Sequence, residues 1–440
     1  MSYDPLIDSA VNPQESLPPT YWHDTVEVPS GTALNKDIET DFLVIGAGYT
    51  GISAALALTE SRAGSVTVID SHSPGYGCAG RNAGFVLSGS GRMGPSALEK
   101  RYGLDIAKGI QNEYDGAVSD LLARISAYGI DCDLAAGPYY KLAHTAKHAL
   151  QQRRSADYLK TNFNQQIESL SQDQLKKALA VEGFYGASRQ PGHTLNPLKL
   201  ILGLSHTAQS KGAAIYSATP ALKITRGESN HVVETPQGVI TARTLLIASN
   251  AYTSKVLHPA VNKRQFPVQS SILVTQPLSK TQLAAIGFNG PVSMMDTRMM
   301  KYYYRLLPDN RLLFGGRGEV SARQAHAGKA RLYDAMLTSF PVLRGIDISH
   351  FWSGWVSVSL DNLPRVNFDN RTQTGYAMGY CGAGVSFANF AGRRLAQRAM
   401  NQPVDLNLPL YSTPLRRFPF AGLRRSALRA LYGWARVIER

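Results

Sequence analysis

The clearest chemistry in the sequence lies in Gly46-Ala47-Gly48-Tyr49-Thr50-Gly51 and in Asp70, nineteen residues past Gly51. Glycines spaced G-x-G-x-x-G permit a tight turn, a close approach of backbone to pyrophosphate, and close packing of the next helix on the strand before it. The free N–H groups and positive end of that helix then face phosphate. An acid at the end of the following strand accepts hydrogen bonds from ribose hydroxyls. The spacing alone is a weak signal. Here it follows the apolar run Phe42-Leu43-Val44-Ile45, which reads as a strand buried on both faces, and it opens an alanine- and leucine-rich stretch. Val66-Thr67-Val68-Ile69 then leads into Asp70. The competing reading is a glycine turn in an unrelated α/β unit, with Asp70 merely ending a strand. The order of parts favours a dinucleotide site.

Two further glycine-rich segments could meet a large flat ligand. Gly75-Tyr76-Gly77-Cys78-Ala79-Gly80-Arg81-Asn82-Ala83-Gly84 follows Asp70 directly, and its glycines suit close backbone approach or a flexible linker. Cys381-Gly382-Ala383-Gly384 enters the helical stretch from Val385 to Met400, a second dipole-positive turn or a packing turn. Asn250-Ala251-Tyr252 ends a strand, where open α/β sheets place ligands. Lys301 to Leu307 and Arg311 to Gly316 read as two strands around Pro308-Asp309-Asn310. Alternation puts Lys301, Tyr303 and Arg305 on one face.

The elements that must position these residues read in order along 440 residues, long enough for two intertwined domains. Residues 1 to about 37 are rich in proline, serine and acids and read as an irregular surface arm anchored by Tyr21 and Trp22. Residues 96–130 read as helix, then about 145–161, then a helix begun at Ser171 with Gln174 as a capping box. Asn196-Pro197 opens another helix. The fold class expected is α/β: a discontinuous Rossmann-like domain of the glutathione-reductase type (38–95, 183–262 and 328–400) with an interleaved α+β substrate domain (96–182 and 263–327).

Composition narrows the class. Hydrophobic content of 44% with 18% charged residues is that of a globular protein. The N-terminal residues lack a basic region before an apolar one, so no secretory signal is expected. Cys78, Cys132 and Cys381 are scattered, which argues against a disulfide framework or zinc site and fits the cytoplasm. No metal is expected. The net charge is +14, of which +6 lies in the tail from Arg416 to Arg440. The 401–440 tail reads as a basic helix packed on the body, or as one lying on anionic lipid. The remaining charge forms no basic stripe, so nucleic acid is not an expected partner.

Taken together, Gly46-x-Gly48-x-x-Gly51 with Asp70, Gly77-x-x-Gly80-Arg81-Asn82-x-Gly84, Gly192-His193 through Asn196-Pro197, Leu246 to Tyr252, Tyr303 to Gly316, and Gly379-Tyr380-Cys381-Gly382-x-Gly384-Val385 resemble the D-amino-acid-oxidase-type FAD-dependent oxidoreductases. Within them the chain is similar to the γ-glutamylputrescine oxidases, over about residues 38 to 400. The resemblance implies noncovalent FAD held by Gly46, Gly48, Tyr49, Thr50, Gly51, Asp70, Ser71, Gly77, Gly80, Arg81, Asn82, Ala83, Gly84, Asn250, Ala251, Gly382, Ala383, Gly384 and Val385. Ala383 and Cys381 depart from the histidine and serine usual in relatives. The implied reaction is oxidation of a C–N bond of a small-molecule amine or amino acid by hydride transfer to flavin. The imine hydrolyses, and molecular oxygen returns as peroxide. A dehydrogenase of D-amino or cyclic imino acids passing electrons to a membrane quinone is the alternative, and a tRNA-modifying enzyme or a binding protein without turnover are weaker ones. Arg305 is the candidate for a substrate anion, Tyr303 for completing the clamp, and Lys301 for a lysine that activates oxygen. Against this, Arg305 could pair with Asp296 and Tyr303 could be core. Tyr252, Trp355 and Phe387 read as a substrate cage or as ordinary core.

Overall fold

A computed structural model describes residues 3–8, 11–16, 19–254, 257–288, 290–321 and 325–438. The tail readings for Glu439 and Arg440 lie outside these residues. The chain begins with β1 (Ile38–Ile45), α1 (Tyr49–Glu60) and β2 (Val66–Ile69), then crosses over with β3 (Phe85–Val86). Helices α2 (Pro95–Tyr102) and α3 (Leu104–Ala127) precede β4 (Ala135–Leu142), α4 (Ala146–Phe163), β5 (Glu168–Ser171), α5 (Gln172–Ala178) and β6 (Gly186–Thr194). Next come α6 (Pro197–Ser210), β7 (Ala214–Tyr216), β8 (Lys223–Arg226), β9 (His231–Thr235) and β10 (Gly238–Ile247). The run continues with β11 (Phe266–Thr275), α7 (Lys280–Ile286), β12 (Ser293–Asp296), β13 (Tyr303–Leu306), β14 (Leu312–Arg317) and α8 (Ala325–Ser339). It closes with β15 (Ile348–Val358), β16 (Arg365–Asp369), β17 (Thr374–Met378), α9 (Gly384–Ala399), α10 (Pro409–Ser412) and α11 (Arg424–Ile438).

These strands form two sheets. The first has the order β16-β17-β10-β1-β2-β7, parallel from β17 to β7, with β9 and β8 continuing from β10. Its central strand β1 is fully apolar from Leu43 to Val44 and buried there, as a strand covered on both faces must be. The second sheet has the order β15-β11-β14-β13-β12-β4-β6-β3, with β5 on β6. Strands β6 and β15 fall within the segments that the sequence reading gave to the cofactor unit, yet they hydrogen-bond into this second sheet. Their reach across the molecule follows from pairing with β4 and β11, long-range partners that local pattern does not reveal.

Local chemistry accounts for the helix ends. Ser171 Oγ accepts from Gln174 N while Gln174 Oε1 accepts from Ser171 N, the capping box expected. Asn196 Oδ1 accepts from Leu198 N and Lys199 N, with Pro197 at the first helical position. The helix expected over 96–130 is two helices, because Gly103 adopts φ +86° between them. The arm is anchored by more than Tyr21 and Trp22: Tyr3, Asp4, Val11 and Leu34 are also buried. Tyr3 O accepts from Trp355 Nε1 at 2.8 Å, and Asp4 pairs with Arg425 of α11 at 2.6 Å. No helix among the described residues is long and apolar enough to cross a membrane.

Candidate active site

One long cleft of about 300 Å³ runs from the C-terminal ends of β1 and β2 to the face of the second sheet. At its first end, Gly46 has φ +113° and turns the chain off β1. Gly48 caps α1 with no side chain on the helix N–H groups, and a Cβ there would meet only the Ala79 side chain. A Cβ on Gly51 would lie 1.8 Å from Gly46 O, so this glycine serves packing. Asp70 accepts from Ala47 N at 2.7 Å and His72 N at 2.9 Å, which ties the turn to the end of β2. Burial pushes its carboxyl up to about 6. Each oxygen keeps a free lone pair for a further donor.

The loop 75–84 forms the middle of the wall. Arg81 donates to Tyr76 O at 2.6 Å and Ser353 O at 3.3 Å, with its guanidinium 4.4 Å from the Tyr76 ring centre. Asn82 donates to Cys78 O and Ala79 O and accepts from Gly84 N. Trp22 and Trp352 indoles donate to the carbonyls of Asn82 and Arg81. These are the constraints of a fixed loop, not a flexible linker. Opposite it, Gly379, Cys381 and Gly382 all have positive φ, and α9 starts at Gly384 without a side-chain cap. The N-termini of α1 and α9 thus both open on the cleft. The two helices touch closely: a Cβ on Gly392 would lie 2.1 Å from Thr50 O, and Thr50 Oγ1 bonds Tyr380 OH at 2.7 Å.

The second sheet supplies the floor of the far end. Tyr303, Met295, Ile272, Ser270, Lys301 and Arg317 line it. Ser270 Oγ donates its proton to Gly316 O at 2.9 Å, so the Tyr303 hydroxyl donates to Ser270 at 2.8 Å. Burial pushes that phenol up to about 12. It is a fixed neutral group with a lone pair toward the cleft. Lys301 Nζ donates to Gly91 O at 3.2 Å. Burial, then the charges of Lys141, Arg92 and Arg317, push its amine down to about 8.

Of the residues singled out in the sequence, Gly46, Gly48, Tyr49, Thr50, Asp70, Ser71, Gly77, Arg81, Asn82, Ala83, Asn250, Gly382, Gly384, Val385, Lys301 and Tyr303 line the cleft. Gly51, Gly80, Gly84, Ala251 and Ala383 stand behind the lining. Gly80 and Gly84 each have a backbone oxygen where a Cβ would go. Asn250 Oδ1 accepts from Gly379 N, joining two of the walls.

Arg305 does not reach the cleft. It is 3% exposed, donates to Leu195 O at 3.0 Å and Gly84 O at 3.4 Å, and lies 5.3 Å from the Trp22 ring centre. Its face of β13 is the expected one, but the segments around Gly84 and Leu195 cover it. Nor does it pair with Asp296, which is held by Arg298 at 2.5 Å. Burial pushes the Arg305 guanidinium down to about 9. Tyr252 lines the cleft, whereas Trp355 and Phe387 are buried beside it. Sequence reasoning missed Arg317. Its signal was present: on β14 it shares the face of Gly315, which pairs with Tyr303.

The residues present fit FAD. Two uncapped helix N-termini, a half-buried strand-end carboxylate, and glycines whose missing Cβ atoms leave room are the donors and acceptors a dinucleotide needs.

Comparison with known proteins bears on the same cleft. The family model described as FAD dependent oxidoreductase (DAO) matches residues 41–398. Gamma-glutamylputrescine oxidoreductase of Escherichia coli (strain K12) is 30% identical over 399 residues, covering 89% of this chain and 92% of that protein. The crystal structure of glycine oxidase from Geobacillus kaustophilus matches with a TM-score of 0.70 at 20% identity, covering 87% of this chain and 99% of that one. L-proline dehydrogenase from P. horikoshii matches with a TM-score of 0.68 at 17% identity, covering 86% and 96%. These two structures share the fold.

Proposed function

The chain belongs to the DAO family of FAD-dependent oxidoreductases, an enzyme family acting on amine or amino-acid donors, and from that premise we propose that it oxidises a C–N bond of a γ-glutamylputrescine-like amine. Bound FAD supplies the hydride acceptor. The substrate loses a hydride from carbon and a proton from nitrogen, and the imine hydrolyses to an aldehyde or keto acid with release of ammonia or amine. Oxygen is the acceptor in this reading, peroxide the second product, and the cytoplasm the location. The observation that carries it is the single cleft that joins the Gly46–Asp70 end to the Tyr303–Lys301 floor.

In this reading the protein orients and shields. The N-termini of α1 and α9 and the Asp70 carboxylate hold the cofactor, while the fixed loop 75–84 keeps it against the floor. Tyr303, whose proton is committed to Ser270, offers only a lone pair and so accepts from a protonated or neutral amine. Cys78 donates to Trp355 O, and burial pushes its thiol up to about 12, which supports noncovalent attachment. The segments 38–95, 183–262 and 328–400 serve mainly the cofactor and 96–182 with 263–327 the substrate, with β6 and β15 shared.

The second reading, a D-amino-acid or cyclic imino-acid dehydrogenase feeding a membrane quinone, is favoured by the tail. Leu428, Tyr432 and Ala435 of α11 pack inward, Leu428 and Tyr432 against Val268 and Val320. The same segment leaves Phe420 at 81%, Val437 at 73%, Leu423, Trp434 and Leu431 exposed. An apolar strip flanked by exposed Arg416, Arg417 and Arg429 suits an anionic lipid surface. Anaerobic bleaching of the flavin band separates the readings. The panel holds γ-glutamylputrescine, polyamines, sarcosine, pipecolate and D-amino acids, with air admitted afterwards. Colour and peroxide returning in air mark the oxidase, and persistent bleaching marks the dehydrogenase. No bleaching by any amine would reject both.

A further inference from the structure

Helix α11 carries two apolar stripes, and the chain covers one of them. Leu428, Tyr432 and Ala435 recur at helical spacing and are buried. Leu423, Leu431, Trp434 and Val437 are exposed, and at about 100° per residue their stripe lies roughly 130° around the helix from the buried one. Phe420 precedes the stripe. Its φ of +48° is a conformation that bulky side chains adopt at a cost, and its ring is left in water.

The buried stripe fixes where the exposed one stands. Leu428 and Tyr432 pack with Val268 and Val320 in a cluster bordered by Phe266, Met300 and Val358. On β11, Val268 lies two residues from Ser270, and on β15, Val358 lies two residues from Val356. Ser270 and Val356 both line the cleft, as does Lys301, which follows Met300. Residues two apart share a face of a strand, so α11 lies on the face of the second sheet that floors the cleft, immediately beyond its Tyr303 end.

Charge selects the occupant. The tail from Arg416 to Arg440 holds seven arginines and one glutamate. Arg425 is spent on Asp4 and Arg424 on the carbonyl of Gln265, whereas Arg416, Arg417 and Arg429 are exposed. A second copy meeting this face across a two-fold axis would set arginine against arginine. Nucleic acid would satisfy the charge and leave the apolar stripe in water. An anionic bilayer surface satisfies both, its phosphates meeting the guanidinium groups and its acyl boundary the Leu, Val and Trp side chains.

We propose that α11 docks the protein on an anionic membrane surface, with Phe420, Leu423, Leu431, Trp434 and Val437 entering the interface and the Tyr303 end of the cleft held beside it. The docking holds for an oxidase and for a quinone-linked dehydrogenase alike.

Co-sedimentation of the FAD-loaded full chain with vesicles of phosphatidylglycerol and phosphatidylcholine tests the docking, against vesicles of phosphatidylcholine alone. Binding to the mixed vesicles is expected, and it should weaken with salt. Trp434 is 55% exposed while Trp22, Trp352 and Trp355 are at most 3% exposed, so quenching of tryptophan emission by brominated lipid reports Trp434. Leu431→Ser with Trp434→Ser should weaken binding about 10-fold or more. Each of Arg416→Gln, Arg417→Gln and Arg429→Gln should weaken it about fivefold. All five side chains face water, so Tm and flavin content should stay at the parent values. Met299 is exposed beside Met300, and Met299→Cys carrying an environment-sensitive fluorophore should report lipid contact, with the labelled parent as blank. The same label on Leu222→Cys, next to the cleft-lining Ala221 at the cofactor end, should not. Equal binding to neutral vesicles, parent-like binding by the Leu431→Ser, Trp434→Ser protein, or binding without tryptophan quenching would overturn the proposal. Self-association that Trp434→Ser abolishes, with no vesicle binding, would assign the face to a second copy instead. Lipid contact at Leu222 in place of Met299 would overturn the placing of the cleft. If the protein binds vesicles while flavin colour returns promptly in air, the docking stands and the quinone reading fails.

Discussion

Replacing Arg305 by methionine separates a structural arginine from a substrate clamp. Met keeps much of the length and apolar contact with Trp22 but removes both hydrogen bonds. Gly84 O retains a donor, because Leu195 N approaches it at 2.9 Å. Leu195 O loses the Arg305 Nη2 donor at 3.0 Å and is left unpaired in the interior. An orphaned buried carbonyl costs about 1–3 kcal/mol. Removal of a buried cation that lacks an acid partner offsets part of that, as the lowering of the Arg305 guanidinium to about 9 indicates. The net expectation is a loss of about 1–2 kcal/mol, read as a fall of a few degrees in Tm.

The consequence for the site is indirect. Arg305 braces the carbonyl of Gly84, the last residue of the loop that carries Arg81 and Asn82, so its loss should raise the FAD dissociation constant, measured by flavin fluorescence. Arg305→Lys is expected to be no better than Met, since one ammonium cannot span two carbonyls and still buries an uncompensated charge. The reasoning fails if Arg305→Met melts and holds FAD like the parent, or if lysine rescues it.

Three other changes probe the cofactor end. Asp70→Asn should weaken FAD by about 10- to 100-fold through loss of charged acceptors. Because the folded protein raises the Asp70 carboxyl to about 6, the charged form is disfavoured there and its burial costs the apoprotein stability as pH rises from the unfolded value toward 6. FAD affinity should therefore rise with pH through about 6 in the parent and stay flat in Asp70→Asn. Gly392→Ala should force α9 off α1, costing about 1–3 kcal/mol as other overpacked contacts do, and flavin content should drop with Tm. Asp4→Ala should release the N-terminal arm from Arg425, removing Val11 from the cleft wall. Limited proteolysis should cut the arm sooner and FAD should leave faster; an arm as resistant as before would show that Tyr3 and Trp355 suffice.

What the sequence made legible was local, and what it hid was remote. The glycine turn, the apolar run before it and Asp70 lie within about thirty residues and constrain one another, so the cofactor end could be assembled in order. The Ser171–Gln174 capping box is shorter still. By contrast, Gly392 looks like any helical glycine until Thr50 is seen against it, more than three hundred residues away in sequence. The arginines make the point most sharply. Alternation was expected to put Lys301, Tyr303 and Arg305 on one face; β13 spans only Tyr303–Leu306, so the strand carries Tyr303 and Arg305 while Lys301 precedes it, and that face has more than one neighbour along its length. Toward Leu306 it is covered by segments around Gly84 and Leu195, and toward Lys301 it is open. Period two selects the candidates; the covering chain chooses among them. A covered cation spends what donors it can on backbone carbonyls, as Arg305 does with Nη1 and Nη2 while its Nε stays unpaired, because unused donors in the interior are costly.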